Sequence, residues 1–400
     1  MARLFTIILF LTFLTPFSYA QKKEISQAQE FIKSKKNLDK AEEEMRKLLK
    51  DSVNRGNIKI YLTLAEAVRA QYEQGNEKLY LKEKYDTAAL FITAHKMFEA
   101  YESLDSADAR PNGKGVVKIK YRKKNAEYLN TCRNNLYNGG MYFALNKKYD
   151  TAYRLMDAFI DCVRQPLFSG CGYREDAPLS KAAAYFTLYC GYKMRNPDKA
   201  LKYEKLALQY DKRHEFALRF AAEVYGMKKD TANYVAMLTR GFDEYKDSPY
   251  FFTRLMDYYN GVNKLDSALV TVESALAHDA GNELFLFAKS NVLLNTGDYE
   301  GCIAVCDSLI ARNDTLADAY YDAGVAYINM AFNLEKTVKA SKAARARLLS
   351  YYKKALPYME RYRELAPEQK DKWMAALYNI YLNLNMGTEF EEIDRMIRNG

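Results

Sequence analysis

The stretch "GDYEGCIAVCDSLI" (Gly297 to Ile310) admits two readings, and the choice between them decides the fold. Cys302 and Cys306 stand four residues apart, on one face of the segment if it is helical. A structural zinc site needs about two further ligands, and His95, His214 and His278 stand in no ligand spacing with the pair. The spacing is also one residue too long for a thioredoxin-type motif. The other reading treats both thiols as small hydrophobes in the wall of a helix. It predicts small residues recurring at a fixed distance along the chain.

Such residues are present. Cys302 follows Ala268 by 34 residues, and Ala268 follows Ala200 by twice that distance. Each closes a "D-x-A" phrase or its looser form "Y-E-G-C". Other columns keep the same period: Tyr225, Tyr259, Leu293 and Tyr327; then Ala222, Met256, Ser290 and Gly324; then Ala207, Gly241, Ala275 and Leu309. Cys306 falls in the column of Val272 and Met359. A helix–turn–helix unit repeated every 34 residues produces such columns, because each unit buries the same faces against its neighbours.

At these positions the chain resembles the tetratricopeptide repeat (TPR) family. The segment from Asn135 to Ile160 carries Gly140, Phe143, Tyr149, Ala152, Met156 and Phe159 at the family's signature places. Ala41 and Ala88 extend the small column upstream; downstream, Ala355 extends it, with Met359, Tyr362 and Pro367 in register. Tyr234 departs from the pattern, standing where a small residue belongs. The resemblance implies an all-α solenoid, a right-handed superhelix of about nine antiparallel helix pairs spanning residues 21–400 as one domain. Insertions at 103–124, 165–180 and 333–350 interrupt the period. The late insertion and the terminal "ALYNIYLNLNMG" also resemble exported TPR proteins of the Bacteroidota cell envelope.

The family binds extended peptides or a partner's helix on a concave face lined by first helices. Carried over by register, that face holds Tyr250, Asp257 and Asn260, then Phe287, Asn291 and Asn295, then Tyr321 and Asn329. Asparagine offers a peptide backbone both a donor and an acceptor, and aromatic rings add apolar area at low entropy cost.

Residues 1–20 set the expected address. A short positive start is followed by the apolar run "LFTIILFLTFL" and a small-residue "SYA" site, the pattern of a cleaved signal peptide. The expected mature chain begins at Gln21, is exported to the periplasm, and has no spanning segment. In an oxidising compartment cysteines can pair, and Cys162 with Cys171, flanking a loop, is the candidate disulfide, with Cys132 and Cys190 as competitors.

Sixty Lys and Arg against fifty-one Asp and Glu leave a net charge of +9, too dilute over this length for a dedicated nucleic-acid binder. Two basic runs are local exceptions. Arg110 to Lys124 contains Lys118, Lys120, Arg122, Lys123 and Lys124, with no acidic residue; Lys336 to Arg347 contains Lys336, Lys339 and Lys342. Both are candidates for an acidic partner, lipopolysaccharide phosphates or a membrane surface, against the plainer reading of a solvated face.

No phosphate loop, nucleophile elbow or H-E-x-x-H motif occurs. The expectation is a non-catalytic scaffold without cofactor or metal that holds a protein or peptide of the cell envelope. One alternative is a glycan or small-ligand binder using aromatics such as Phe168 and Tyr173 in the middle insertion. The other is an envelope-assembly chaperone with a promiscuous groove.

Overall fold

The computed structural model describes residues 21–337 and 341–399, so the expected signal segment and Lys339 lie outside the described residues. Every regular element among them is helical. The chain runs α1 (21–34), α2 (Leu38–Lys50), α3 (Ile58–Tyr80), α4 (Thr87–Asp108), α5 (Arg122–Cys132), α6 (Asn134–Leu145), α7 (Tyr149–Asp161), α8 (Pro178–Lys193), α9 (Pro197–Leu201) and α10 (Glu204–Ala207). It continues through α11 (His214–Met227), α12 (Thr231–Glu244), α13 (Pro249–Gly261), α14 (Leu265–His278), α15 (Glu283–Thr296), α16 (Tyr299–Arg312), α17 (Ala317–Thr337), α18 (Lys342–Leu365), α19 (Lys370–Leu384) and α20 (Gly387–Asn399). No described helix is long and apolar enough to cross a membrane.

Contacts divide the chain into two compact units, one through Met237 and one from Leu238. In the first, α3 packs on α4, α6 on α7, and α8 on α9 and α10. In the second, α13 packs on α14, α15 on α16, α17 on α18, and α19 on α20. This is an all-α, helix-pair repeat fold of the TPR kind.

Two local features make the pairs. The first is the turn. Arg195, Lys229, Asn263 and Gly297 recur at intervals of 34 and all have positive φ, as does Lys147 upstream. A left-handed residue ends one helix so that the next can fold back along it. Side chains then cap the new helix: Asn282 Oδ1 accepts from Leu284 N (3.1 Å) at α15, and Asp298 Oδ1 from Gly301 N (3.0 Å) at α16. The second feature is the small column. Ala152, Ala200, Ala268, Cys302 and Ala355 are all fully buried. Opposite them stand glycines that admit a larger neighbour. A Cβ on Gly140 or Gly324 would come within 2.7 Å and 2.6 Å of Met156 and Met359 respectively. A Cβ on Gly191 would overlap the backbone of Ala200, so α8 and α9 touch main chain to main chain.

The insertions take three forms. In 103–124, α4 continues to Asp108 and a loop leads into α5, a helix absent from the 34-residue pattern. In 165–180 a 3-10 turn at Pro166–Phe168 tucks Leu167 and Phe168 into the core. In 333–350 the helices α17 and α18 are both lengthened.

The disulfide expected between Cys162 and Cys171 is not formed; all six cysteines are free thiols. Cys162 ends α7 inside the core, where burial pushes its thiol pKa up to about 12, while half-buried Cys171 lies at the core's edge beside Tyr173.

The close approach of α8 and α9 gives a direct test. Gly191→Ala should destabilise the protein by about 1–3 kcal/mol, since the obstacle is backbone and not a movable side chain. Gly261→Ala, where the added methyl meets nothing within 4 Å, should be neutral or stabilise by up to about 1 kcal/mol. Urea unfolding of the two variants measures both effects.

Candidate partner-binding face

In the second unit, α17 touches both α15 and α19, the first helices of neighbouring pairs. Phe287 on α15 and Tyr321 on α17 occupy the same register 34 residues apart, and both are half-buried. Phe287 packs against the core formed by Cys302, Ile303, Cys306 and Leu309. The Tyr321 ring lies 5.0 Å from that of Tyr362, and Lys372 Nζ stands 5.3 Å from its centroid. Tyr362 is buried, with its hydroxyl unpartnered among the described residues.

The residue that ties α15 to α17 is Asp322. It is 4% exposed, and its Oδ2 accepts from Ser290 Oγ (2.9 Å) and Asn291 Nδ2 (3.0 Å). Burial pushes its carboxyl pKa up to about 6; the Ser290 hydrogen bond and the Lys372 charge oppose the rise. Behind it, the Cys302 thiol points at the Asp322 carbonyl oxygen, 3.9 Å away. Cys302 and Cys306 are fully buried, and their mutual contact with burial raises the Cys302 pKa, the opposite of a reactive thiolate.

Asn291 is therefore not free to read a peptide with both its donor and its acceptor. Its amide nitrogen donates to Asp322 and to Phe287 O (3.2 Å), and that of Asn295 donates to Asn291 O (2.9 Å). Among the described residues neither Oδ1 accepts a hydrogen bond, so the two side chains present acceptors. Asn295 is exposed and Asn291 half-buried. On α13, Asp257 and Asn260 are exposed, and the half-buried Tyr250 ring packs edge-on against Phe251 at 5.2 Å. Asn329 is half-buried two turns after Tyr321.

Sequence reasoning passed over Asp322. A signal was there: one acid at helical spacing between Ala319 and Ala326, in a run otherwise small or apolar. Its partners Ser290 and Asn291 lie about one repeat upstream.

The basic residues separate into two kinds. Arg122 is paired, its guanidinium donating two 2.8 Å hydrogen bonds to the buried Asp105 carboxylate, so it holds the start of α5 in place. Lys118, Lys120, Lys123, Lys124, Lys336 and Lys342 are exposed. Of the aromatics proposed for a glycan site, Phe168 is buried and Tyr173 is half-buried. Phe168 is 3% exposed and packed on Phe98 and Tyr173, and Tyr173 lies against the Arg133 guanidinium, 4.0 Å from its ring centroid. Among the described residues no group of three or more His, Cys, Asp or Glu side chains is placed to hold a metal ion.

The raised Asp322 pKa sets a pH dependence. The folded state holds this proton more tightly than the unfolded state, whose carboxyl titrates near the ordinary value of 3.8. Its contribution is present below pH ~4 and is lost as pH rises through about 6, by on the order of 3 kcal/mol in full. Asp322→Asn should therefore match the wild type near pH 4 and melt higher than it at pH 8, followed by circular dichroism. A difference that stays constant over this range would mean that Asp322 does not titrate there.

No family model matches the chain, and no curated protein matches it. Among solved structures it is similar to YrrB, a TPR protein with an unusual peptide-binding site, at 17% identity over 52% of this chain and 93% of that one, with a TM-score of 0.37. It is also similar to the P58(IPK) TPR domain (12% identity, 94% and 98% covered, TM-score 0.25). A third is yeast Tom70 (12% identity, 94% and 92% covered, TM-score 0.35). These likenesses are to the fold alone.

Proposed function

We propose that the protein is a non-catalytic scaffold that holds a protein or peptide segment against the first-helix face of its second unit. The observation that carries this reading is the fixed arrangement around Asp322. Hydrogen bonds lock α15 to α17 beneath a surface that presents two aromatic rings, Phe287 and Tyr321, beside two amide oxygens, Asn291 Oδ1 and Asn295 Oδ1. Rigid acceptors on neighbouring turns suit the N–H groups of an extended segment, and half-buried rings suit its apolar side chains.

The address belongs to the same proposal. The apolar run and small-residue site within residues 1–20 support export, which makes the partner a component of the cell envelope, in keeping with the resemblance to exported Bacteroidota TPR proteins. The burial of Phe168 and the stacking of Tyr173 on Arg133 weigh against the glycan alternative.

Crosslinking in intact cells, with identification of the captured protein, tests the reading. Asn295→Ala leaves the Asp322 hydrogen bonds in place and should lower capture several-fold; Asn291→Ala with Asn295→Ala should lower it by about tenfold or more. Capture of the same partner at wild-type level by the double variant would remove this face from the proposal.

A further inference from the structure

The loop 109–121 of the first unit is the feature that the scaffold reading does not use. Seven cations stand between Arg110 and Lys124, with no acid from Ala109 to Ala126. Within that run, three aliphatic side chains are turned to solvent: Val116 (57% exposed), Val117 (51%) and Ile119 (40%). Alternation of Val117, Lys118, Ile119 and Lys120 places apolar and cationic groups side by side.

The loop is held in shape at several points. At its tip, Asn112 Oδ1 accepts from Lys114 N (2.9 Å) and Val116 N (3.1 Å), and Asn112 N donates to Val116 O (2.9 Å). At its base, Asp108 Oδ2 accepts from Lys120 N (2.6 Å) and Tyr121 N (2.9 Å), next to the Asp105–Arg122 pair. A second loop joins it. Arg110 Nη1 donates to Arg55 O (2.6 Å), in the 3-10 turn Ser52–Gly56, whose Val53 is 81% exposed. One end of this unit thus carries four exposed aliphatic side chains on two tied loops, with Lys114, Lys118 and Lys120, which make no ion pair among the described residues, on the longer loop. Of the nearby acids, Asp51, Asp105 and Asp108 are spent on the turn at Val53, on Arg122 and on the loop base, while Glu99 and Glu102 line a cleft with Arg55.

From this geometry we infer that the paired loops 51–56 and 109–121 form a docking surface for a lipid bilayer with anionic phospholipid headgroups. Lysines gain from the negative surface potential, and aliphatic side chains gain by entering the headgroup–acyl boundary. A soluble polyanion or an acidic protein segment would use the lysines and leave Val116, Val117 and Ile119 in water. Anchoring both loops by hydrogen bonds presents the aliphatic tips without the ordering cost that a free segment carries on binding.

Co-sedimentation of the full chain with vesicles tests the inference. Vesicles of three parts phosphatidylcholine to one part phosphatidylglycerol should bind at least about tenfold more tightly than phosphatidylcholine alone at low salt, and the gap should close toward ~0.5 M salt. The neutral vesicles report what the apolar run at residues 4–14 contributes, since every variant retains it. Replacing Val116, Val117 and Ile119 together by Ser should abolish most of the anionic-vesicle gain with no change in melting temperature, because all three are exposed. Lys114→Ser with Lys118→Ser should abolish it as well. The inference is overturned if the wild type shows no preference for anionic vesicles. It is equally overturned if the folded triple-Ser variant binds them as the wild type does, or if heparin competes equally for both, which would point to an acidic soluble partner.

Discussion

Everything in this structure rests on how closely two helices can lie. Ala152, Ala200, Ala268, Cys302 and Ala355 line the second helices of their pairs with side chains no larger than a thiol, and Gly140, Gly191 and Gly324 face them or their neighbours from the first helices. At Gly191 and Ala200 nothing separates the two main chains. Close approach lets each pair bury one face internally and keep another for the next pair, so the core grows by contacts between neighbours. The thiols of Cys302 and Cys306 belong to this constraint. They are small enough for the column and sufficiently apolar for its interior.

The same constraint decides where polar groups can sit. A helix whose inner face is taken by small residues has its remaining faces for neighbouring pairs and for solvent. Asp322 occupies the boundary between those faces. Its carboxyl is buried, which is costly, and the cost is limited by two hydrogen bonds from α15 and by the charge of Lys372. The outcome is a link between successive first helices that depends on protonation, placed under the surface proposed for a partner.

Charge in the sequence did not translate uniformly into charge on the surface. Arg122 belongs to the basic run in composition, yet its guanidinium is consumed by buried Asp105; Lys118 and Lys120, four and two positions before it, face solvent. Likewise Phe168 and Tyr173 stand in a polar insertion, yet the 3-10 turn takes one into the core and Arg133 covers the other. Residue type was readable in both cases, but the partner was not.

The helix-pair fold was legible from the sequence because a solenoid is nearly one-dimensional: its contacts are local or one repeat away, so its constraints reappear every 34 residues as columns. The turn at Arg195, Lys229, Asn263 and Gly297 keeps this period although its four positions are filled by four different residue types, since the backbone conformation is what recurs. Tertiary structure alone decided what the period does not encode. It placed α5 and the buried turn at Pro166–Phe168, left Cys162 and Cys171 as free thiols, and turned the Asn291 amide onto Asp322. In each case the outcome depends on which specific side chains compete for the same buried space or the same hydrogen bond, and a repeat pattern records only the size and polarity of a residue.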